Sequence, residues 1–120
     1  MTNQQIVLVV EDEPIVRMGI VDSLEDEGYK VLEAGDAAEA LRILESDADI
    51  RLIFTDIDMP GSMDGLQLAA IVSRRWPPIR IIITSGQRLV EITDIPSGSM
   101  FHAKPYSYQL INSAVARLLR

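Results

Sequence analysis

The sequence of 120 residues contains no cysteine, few aromatic residues and no long hydrophobic run. Without cysteine there can be no disulfide bond, thiolate metal site or cysteine nucleophile, which fits a reducing cytoplasm. The longest apolar runs, such as Ile6 to Val10, are far shorter than the roughly 18 residues that a membrane span needs. The N-terminus also lacks the charged-then-apolar pattern of a signal peptide. We therefore expect a cytoplasmic domain with no membrane association.

Positive charge is also scarce, because 11 lysine and arginine residues stand against 18 aspartate and glutamate residues, a net charge of −7. Domains that bind nucleic-acid backbones usually present a basic face, whereas Arg74-Arg75 is the only adjacent basic pair here. The composition therefore argues against direct nucleic-acid binding. It suits a cation site or a basic partner, although such a charge is also ordinary for solubility.

Strand-like and helix-like segments alternate along the whole chain. Short β-branched runs predict strands, and apolar residues spaced three and four apart predict helices between them. The predicted strands span residues 6–10, 29–34, 51–55, 79–84 and 100–103. The predicted helices begin at Pro14, after Asp36, after Asp64, near Arg88 and after Ser107.

Capping residues bound several of these helices. Asp36 followed by Glu39 is a capping-box pattern, and Gly28 predicts the end of the first helix. The last helix is expected to turn a set of apolar residues toward the core, namely Leu110, Ile111, Ala114, Val115 and Leu118.

Strict alternation of strands and helices predicts the α/β class, with a parallel sheet covered on both faces and no internal linker or repeat. In such sheets, ligands bind outside the carboxyl ends of the strands. Polar residues follow four of the predicted strands: Glu11-Asp12, Asp56, Ser85 and Lys104. We therefore expect these residues to share one rim of the sheet.

Crowded carboxylates at this rim predict a cation site. Neighbouring carboxylates repel unless a cation lies among them, and Mg²⁺ prefers hard oxygen ligands. An aspartate can also act as the nucleophile in phosphoryl transfer. Asp56 suits that role, with Lys104 and the Ser85 hydroxyl as donors to the phosphoryl oxygens.

Four motifs together resemble the receiver domain of bacterial two-component response regulators. They are Val9-Val10-Glu11-Asp12-Glu13, Phe54-Thr55-Asp56-Ile57-Asp58-Met59-Pro60-Gly61, Ile83-Thr84-Ser85-Gly86 and Ala103-Lys104-Pro105-Tyr106. Each motif is weak alone, but all four stand in order at predicted strand ends. The resemblance spans residues 1–120 as one domain, and it implies a flavodoxin-like (βα)5 fold with strand order 2-1-3-4-5.

The resemblance also implies roles for individual residues. Asp56 would accept phosphate from a phosphohistidine of a histidine kinase or histidine phosphotransfer protein. Glu11, Asp12, Asp56 and the backbone carbonyl of Asp58 would bind Mg²⁺. Ser85 and Lys104 would contact the phosphoryl oxygens, and the Lys104–Pro105 bond would be cis. Such a domain signals to an effector protein rather than acting as an enzyme on other substrates.

The family's output face would comprise the fourth predicted helix, the fifth strand and the last helix. Ser85 and Phe101 would be its switch residues, with Phe101 standing where many members have tyrosine. The stretch from Ser85 to Lys104 is shorter than in typical receivers. We therefore expect the fourth helix, near residues 88–93, to be short or irregular and dimerisation through this face to be weak.

Parts of the sequence also fit two other functions. Asp56-Ile57-Asp58 mimics the Asp-x-Asp motif of haloacid-dehalogenase-like phosphatases, in which the second aspartate is a general acid. That motif belongs on the first strand, however, and Pro60 stands where a threonine or valine is expected. The other alternative is a degenerate receiver that binds partners without phosphorylation, although all the expected acceptor residues are present.

Overall fold

The computed structural model describes residues 4–46, 49–86 and 95–120, and its centre is a five-stranded parallel sheet. The strand order is β2-β1-β3-β4-β5, as the sequence resemblance implied. The strands are β1 (Ile6–Val10), β2 (Lys30–Ala34), β3 (Ile50–Asp56), β4 (Arg80–Ser85) and β5 (Met100–Ala103). The helices are α1 (Pro14–Asp26), α2 (Ala37–Leu44), α3 (Gly65–Arg75) and α4 (Tyr108–Leu118).

The sheet separates two hydrophobic cores, because successive side chains of a strand point to opposite faces. One core joins alternate strand residues to α2 and α3, and it includes Leu8, Ile53 and Ile83. The other joins the intervening residues to α1 and α4, and it includes Phe54 and Ile82. Because both faces are covered, the central strands are apolar along most of their length.

Most of the predicted helix ends are confirmed. The Asp64 side chain accepts the backbone N–H of Gln67, whose own side chain accepts the N–H of Asp64, a complete capping box. Ser107 caps α4 by accepting the N–H of Leu110. Gly28 has a positive φ of 97° just beyond α1, a conformation that glycine adopts without strain.

Three details differ from the sequence-based expectations, and one expected helix lies outside the described residues. Asp36 caps α2 as predicted, but the Glu39 carboxylate accepts the N–H of Gly35 instead of completing the box. The predicted strand ends differ by one residue at the starts of β2, β3 and β4 and at the ends of β3 and β4. Leu110 was expected in the core but is 46% exposed, because the buried stripe of α4 is centred on Ile111, Ala114 and Val115. The fourth helix, predicted near residues 88–93, lies within 87–94, outside the described ranges, so four of the five expected helices are described.

Gly65 lets the start of α3 lie directly against the end of β3. A Cβ atom at this position would overlap the backbone carbonyl of Asp56 and approach the Cα of Ile57. The Gly65 N–H donates to the carbonyl oxygen of Ile57 at 3.0 Å, which fixes the close approach. A side chain at position 65 would therefore push apart two backbone segments that cannot rotate away.

We expect Gly65→Ala to lower the free energy of unfolding by about 1–3 kcal/mol, the usual cost of forcing extra atoms into a packed site. Urea unfolding followed by circular dichroism measures this loss. Gly35→Ala is the matched control, because its Cβ would meet only the flexible side chain of Arg17 at 3.5 Å. Equal stability of the two variants would contradict the steric interpretation.

Candidate functional site

The carboxyl ends of β1, β3, β4 and β5 meet at one rim of the sheet. Every residue that the sequence analysis assigned to the site lies there except Phe101, which lies within β5. Parallel pairing aligns the strand ends, since Val10 pairs with Thr55 and Asp56 pairs with Thr84. An open cleft of about 470 Å³ follows, lined by Asp12, Glu13, Asp56, Asp58, Gly86 and Lys104.

Three carboxylates converge at the floor of this cleft. Glu11, Asp12 and Asp56 each offer one oxygen, and these oxygens all lie within 4.8 Å of one another. Glu11 and Asp56 are buried, whereas Asp12 is partly exposed. Oxygen ligands at this spacing are the donor set that a hard divalent cation prefers. The sequence prediction that these residues come together is thus confirmed.

Lys104 balances part of this negative charge. Its Nζ donates to Oδ2 of Asp56 at 2.9 Å and lies 3.6 Å from Oε2 of Glu11. Burial opposes the charge of the ammonium group. The hydrogen bond to Asp56 and the charges of Asp56 and Glu11 outweigh that effect, so the pKa of Lys104 lies above its ordinary value.

The buried environment of Glu11 disfavours its charged form. Burial, reinforced by the charge of Asp56, raises its pKa from 4.5 to about 7, although the N–H of Glu13 and the charge of Lys104 act in the opposite direction. Its Oε1 accepts the N–H of Glu13 at 3.2 Å. Its Oε2 is buried without a hydrogen-bond partner among the described residues. An oxygen in that position favours a ligand that can neutralise it.

Ser85 and Asp58 form a hydrogen bond that the sequence did not reveal. The Ser85 hydroxyl donates to Oδ2 of Asp58 at 2.9 Å, and the Asp58 N–H donates to Oδ1 of Asp56 at 3.3 Å. Both carboxylate oxygens of Asp56 therefore have a donor, one from the chain's backbone and one from Lys104. This places Ser85 next to the carboxylate cluster through Asp58.

The segment after β5 covers one side of the site. The Lys104–Pro105 peptide bond is cis, as the resemblance implied. Tyr106 lies edge-on to Phe54, with ring centroids 6.0 Å apart, and burial raises its pKa to about 12. Phe101, in contrast, pairs with Ile83 and is partly buried against the core on the α3 side of the sheet.

Two residues that shape the site carried no assignment in the sequence analysis. Tyr106 is the last residue of the quoted motif Ala103-Lys104-Pro105-Tyr106, so its position beside the site was accessible from the sequence, but its contact with Phe54 was not. Gly65 packs against the Asp56 carbonyl, as described above. The only signal in the sequence was a glycine directly after a predicted N-cap, a position where a larger residue is ordinarily accepted.

The raised pKa of Glu11 makes the stability of the metal-free domain depend on pH. Folded Glu11 binds protons more tightly than unfolded Glu11, so its contribution is most favourable below pH 4.5 and is lost as the pH rises to about 7. Glu11→Gln should therefore gain stability relative to the wild type across this interval, by on the order of 2 kcal/mol. Urea unfolding in chelator at several pH values measures the difference. Glu25→Gln is the matched control, because it makes the same change at an exposed position of α1, and a pH-independent difference between Glu11→Gln and the wild type would contradict the assignment.

Comparisons with known proteins agree with this geometry. Residues 7–96 match the model of the response regulator receiver domain family. The chain is 35% identical over 117 residues to the sensor kinase CckA of Brucella abortus, covering 94% of this chain and 12% of that protein. More broadly, it spans half or less of the length of the curated relatives it matches.

Solved structures give the same result. A response regulator receiver protein from Sinorhizobium medicae superposes with a TM-score of 0.91 at 28% identity, covering 98% of this chain and 95% of the other. The response regulator TrrA of Thermotoga maritima, solved in complex with Mg²⁺-BeF, superposes with a TM-score of 0.84 at 27% identity, covering 96% and 99%. No helix within the described ranges is long and apolar enough to cross a bilayer. The chain belongs to the receiver domains of two-component response regulators.

Proposed function

We propose that this receiver domain accepts a phosphoryl group on Asp56 in a Mg²⁺-dependent reaction. The donor is a phosphohistidine on a histidine kinase or a histidine phosphotransfer protein. The observation that carries this proposal is the convergence of Glu11, Asp12 and Asp56 within 4.8 Å, with Lys104 bonded to Asp56. That arrangement supplies a nucleophile, a cation site and a positive donor in one cleft.

The carboxylate cluster fits Mg²⁺ by the chemistry of its atoms. All its donors are hard oxygens, and the buried Oε2 of Glu11 has no hydrogen-bond partner within the described residues. Glu11, Asp12, Asp56 and the backbone carbonyl of Asp58 would hold the ion. When bound, Mg²⁺ neutralises charge on the transferring phosphoryl group and on the carboxylates.

The protein's own groups position the reaction. A carboxylate oxygen of Asp56 attacks phosphorus, the phosphorus–nitrogen bond of the phosphohistidine breaks, and its electron pair remains on the imidazole nitrogen. Lys104, held 2.9 Å from Asp56, then lies beside the new phosphoryl group and stabilises its charge. The Ser85 hydroxyl is the second donor from this chain, once it turns away from Asp58.

The phosphatase alternative has no support from the site. Asp56 and Asp58 lie at the end of β3, whereas the phosphatase motif belongs on the first strand, and the Asp58 carboxylate already accepts the Ser85 hydroxyl. The degenerate-receiver alternative differs in one testable respect, because such a domain would not be labelled. A cytoplasmic location for the reaction follows from the proposed partners and stays part of the proposal.

We expect the domain to gain one phosphoryl group when incubated with acetyl phosphate and Mg²⁺, as measured by intact-mass spectrometry. Asp56→Asn should abolish the gain, because an amide oxygen is a poor nucleophile. A chelator should reduce labelling strongly, since the anionic donor would approach uncompensated carboxylates.

Asp58→Asn is the matched control, because it changes the other carboxylate of the same loop and should leave the domain labelled. Labelling that persists in Asp56→Asn would exclude Asp56 as the acceptor. Steady phosphate release from a phosphomonoester, abolished by Asp58→Asn, would instead favour the phosphatase. A wild type that binds Mg²⁺ weakly or not at all and is never labelled would favour the degenerate receiver.

Phosphorylation would be read on the face that includes β5 and α4. If Ser85 turns toward the phosphoryl group, it vacates space beside β5, into which the ring of Phe101 can move. Phe101 is only partly buried in the structure, so further burial is available to it. Burying a phenylalanine ring stabilises the inward state by about 1.5–3 kcal/mol, which is enough to shift a two-state population without a hydroxyl group.

Fluorine NMR of the domain labelled with fluorophenylalanine tests this switch, because the sequence contains only two phenylalanines. We expect the Phe101 resonance to shift when beryllofluoride and Mg²⁺ are added. Phe54 is fully buried in the opposite core and serves as the internal reference. Assignment by Phe101→Leu identifies the two signals. A Phe101 signal that stays unchanged when beryllofluoride saturates the site would refute the switch.

A further inference from the structure

We propose that Asp58 is a latch on the switch: its carboxylate holds the Ser85 hydroxyl in the resting state, and activation must break that bond. This inference rests on the proposed function of the site and specifies how the site is regulated. It assigns to the side chain of Asp58 a positioning role that is separate from the role of its backbone carbonyl in metal binding.

The hydrogen bond itself is the first observation. The Ser85 hydroxyl donates to Oδ2 of Asp58 at 2.9 Å, and Ser85 is only 2% exposed. A hydrogen bond to an ionised carboxylate is stronger than one between neutral groups, and burial strengthens it further. The interaction is therefore suited to holding one rotamer of Ser85.

The second observation is that the hydroxyl carries a single proton. It cannot donate at full strength to Asp58 and to a phosphoryl oxygen on Asp56 at the same time. The two acceptors therefore compete, and every increment of stability in the Ser85–Asp58 bond opposes the activated state. A ligand shifts such an equilibrium only by its differential affinity for the two states.

The third observation is that the loop bearing Asp58 is anchored to the nucleophile. The Asp58 N–H donates to Oδ1 of Asp56 at 3.3 Å, and the N–H of Ile57 donates to the carbonyl oxygen of Thr84 at 2.9 Å. The first bond ties Asp58 to the nucleophile, and the second joins the end of β3 to the end of β4, which carries Ser85. The latch thus spans the two strands that must respond to phosphorylation.

A double-mutant cycle separates the latch from simple charge repulsion. Asp58→Ala removes the acceptor and a negative charge together, so it should favour beryllofluoride binding for two reasons. In the Ser85→Ala background only the charge effect remains. We therefore expect Asp58→Ala to lower the beryllofluoride concentration at half-saturation by about tenfold more in the Ser85 protein than in the Ser85→Ala protein. The fluorine signal of bound beryllofluoride provides the titration in all four proteins, because it reports occupancy of the site directly and not through Ser85 or Phe101.

Two further measurements complete the test. Asp58→Asn removes the charge but leaves an amide oxygen that can accept a hydrogen bond from the hydroxyl. Its effect on beryllofluoride affinity should therefore differ less between the Ser85 and Ser85→Ala backgrounds than the effect of Asp58→Ala does. Ser85→Thr keeps the hydroxyl and should restore the coupling with Asp58→Ala. Urea unfolding of the same four-protein cycle in chelator should show that Asp58 and Ser85 stabilise each other in the metal-free domain.

The outcomes are distinguishable. The latch is supported if Asp58 and Ser85 together raise the free energy of unfolding of the metal-free domain and together lower its affinity for beryllofluoride. Equal effects of Asp58→Ala in both backgrounds overturn it, even though the domain is labelled and the proposed function stands. A wild type that neither binds beryllofluoride nor becomes phosphorylated overturns the proposed function, and the latch with it.

Discussion

Mutual repulsion among carboxylates is the constraint on which the rest of this site depends. The fold brings Glu11, Asp12 and Asp56 within 4.8 Å and supplies one ammonium group, that of Lys104, to offset them. Burial, reinforced by the charge of Asp56, still raises the pKa of Glu11 to about 7 despite the neighbouring ammonium group. A domain that keeps such a cluster sacrifices stability in the absence of a cation, which is typical of sites arranged for binding rather than for folding.

The geometry around this cluster is held by backbone contacts as much as by side chains. The carbonyl oxygen of Asp56 touches the start of α3 at Gly65, and the N–H of Ile57 bonds across to β4. On the other side, the N–H of Lys104 donates to the carbonyl oxygen of Ser85 at 3.0 Å. Backbone hydrogen bonds thus join neighbouring strand ends along the rim. A rotamer change at one strand end can therefore shift the residues at the next.

Much of this arrangement could be predicted from the sequence, because it depends on the spacing of apolar residues and on the polar residues at the ends of strands and helices. The alternation of strand-like and helix-like segments predicted the parallel sheet. The polar residues directly after four of the strands predicted that the site lies at one rim of it. Asp64 and Ser107 predicted the starts of two helices, because their side chains can accept a backbone N–H of the first turn. These signals are local, and they reflect the same hydrogen bonds that the structure contains.

What the sequence could not supply depends on tertiary contact. The overlap of a Gly65 side chain with Asp56, the exposure of Leu110 and the bond between Ser85 and Asp58 each involve the packing of one element on another. Spacing alone likewise could not predict that the Glu39 carboxylate accepts the N–H of Gly35 rather than that of its N-cap residue.

The alternation of side chains along β3 limits where residues can be inserted or deleted in the sequence. Phe54 lies in the core on the α1 and α4 side of the sheet, and Asp56, two residues later, is on the same face. Deleting or inserting a single residue within β3 would send the aspartate to the opposite face and bring a neighbour into its place. Loops at the amino ends of the strands can change length without this effect, because they lie at the far edge of the sheet. Length variation is therefore tolerated at one edge of the sheet and excluded within the strand that ends at the site.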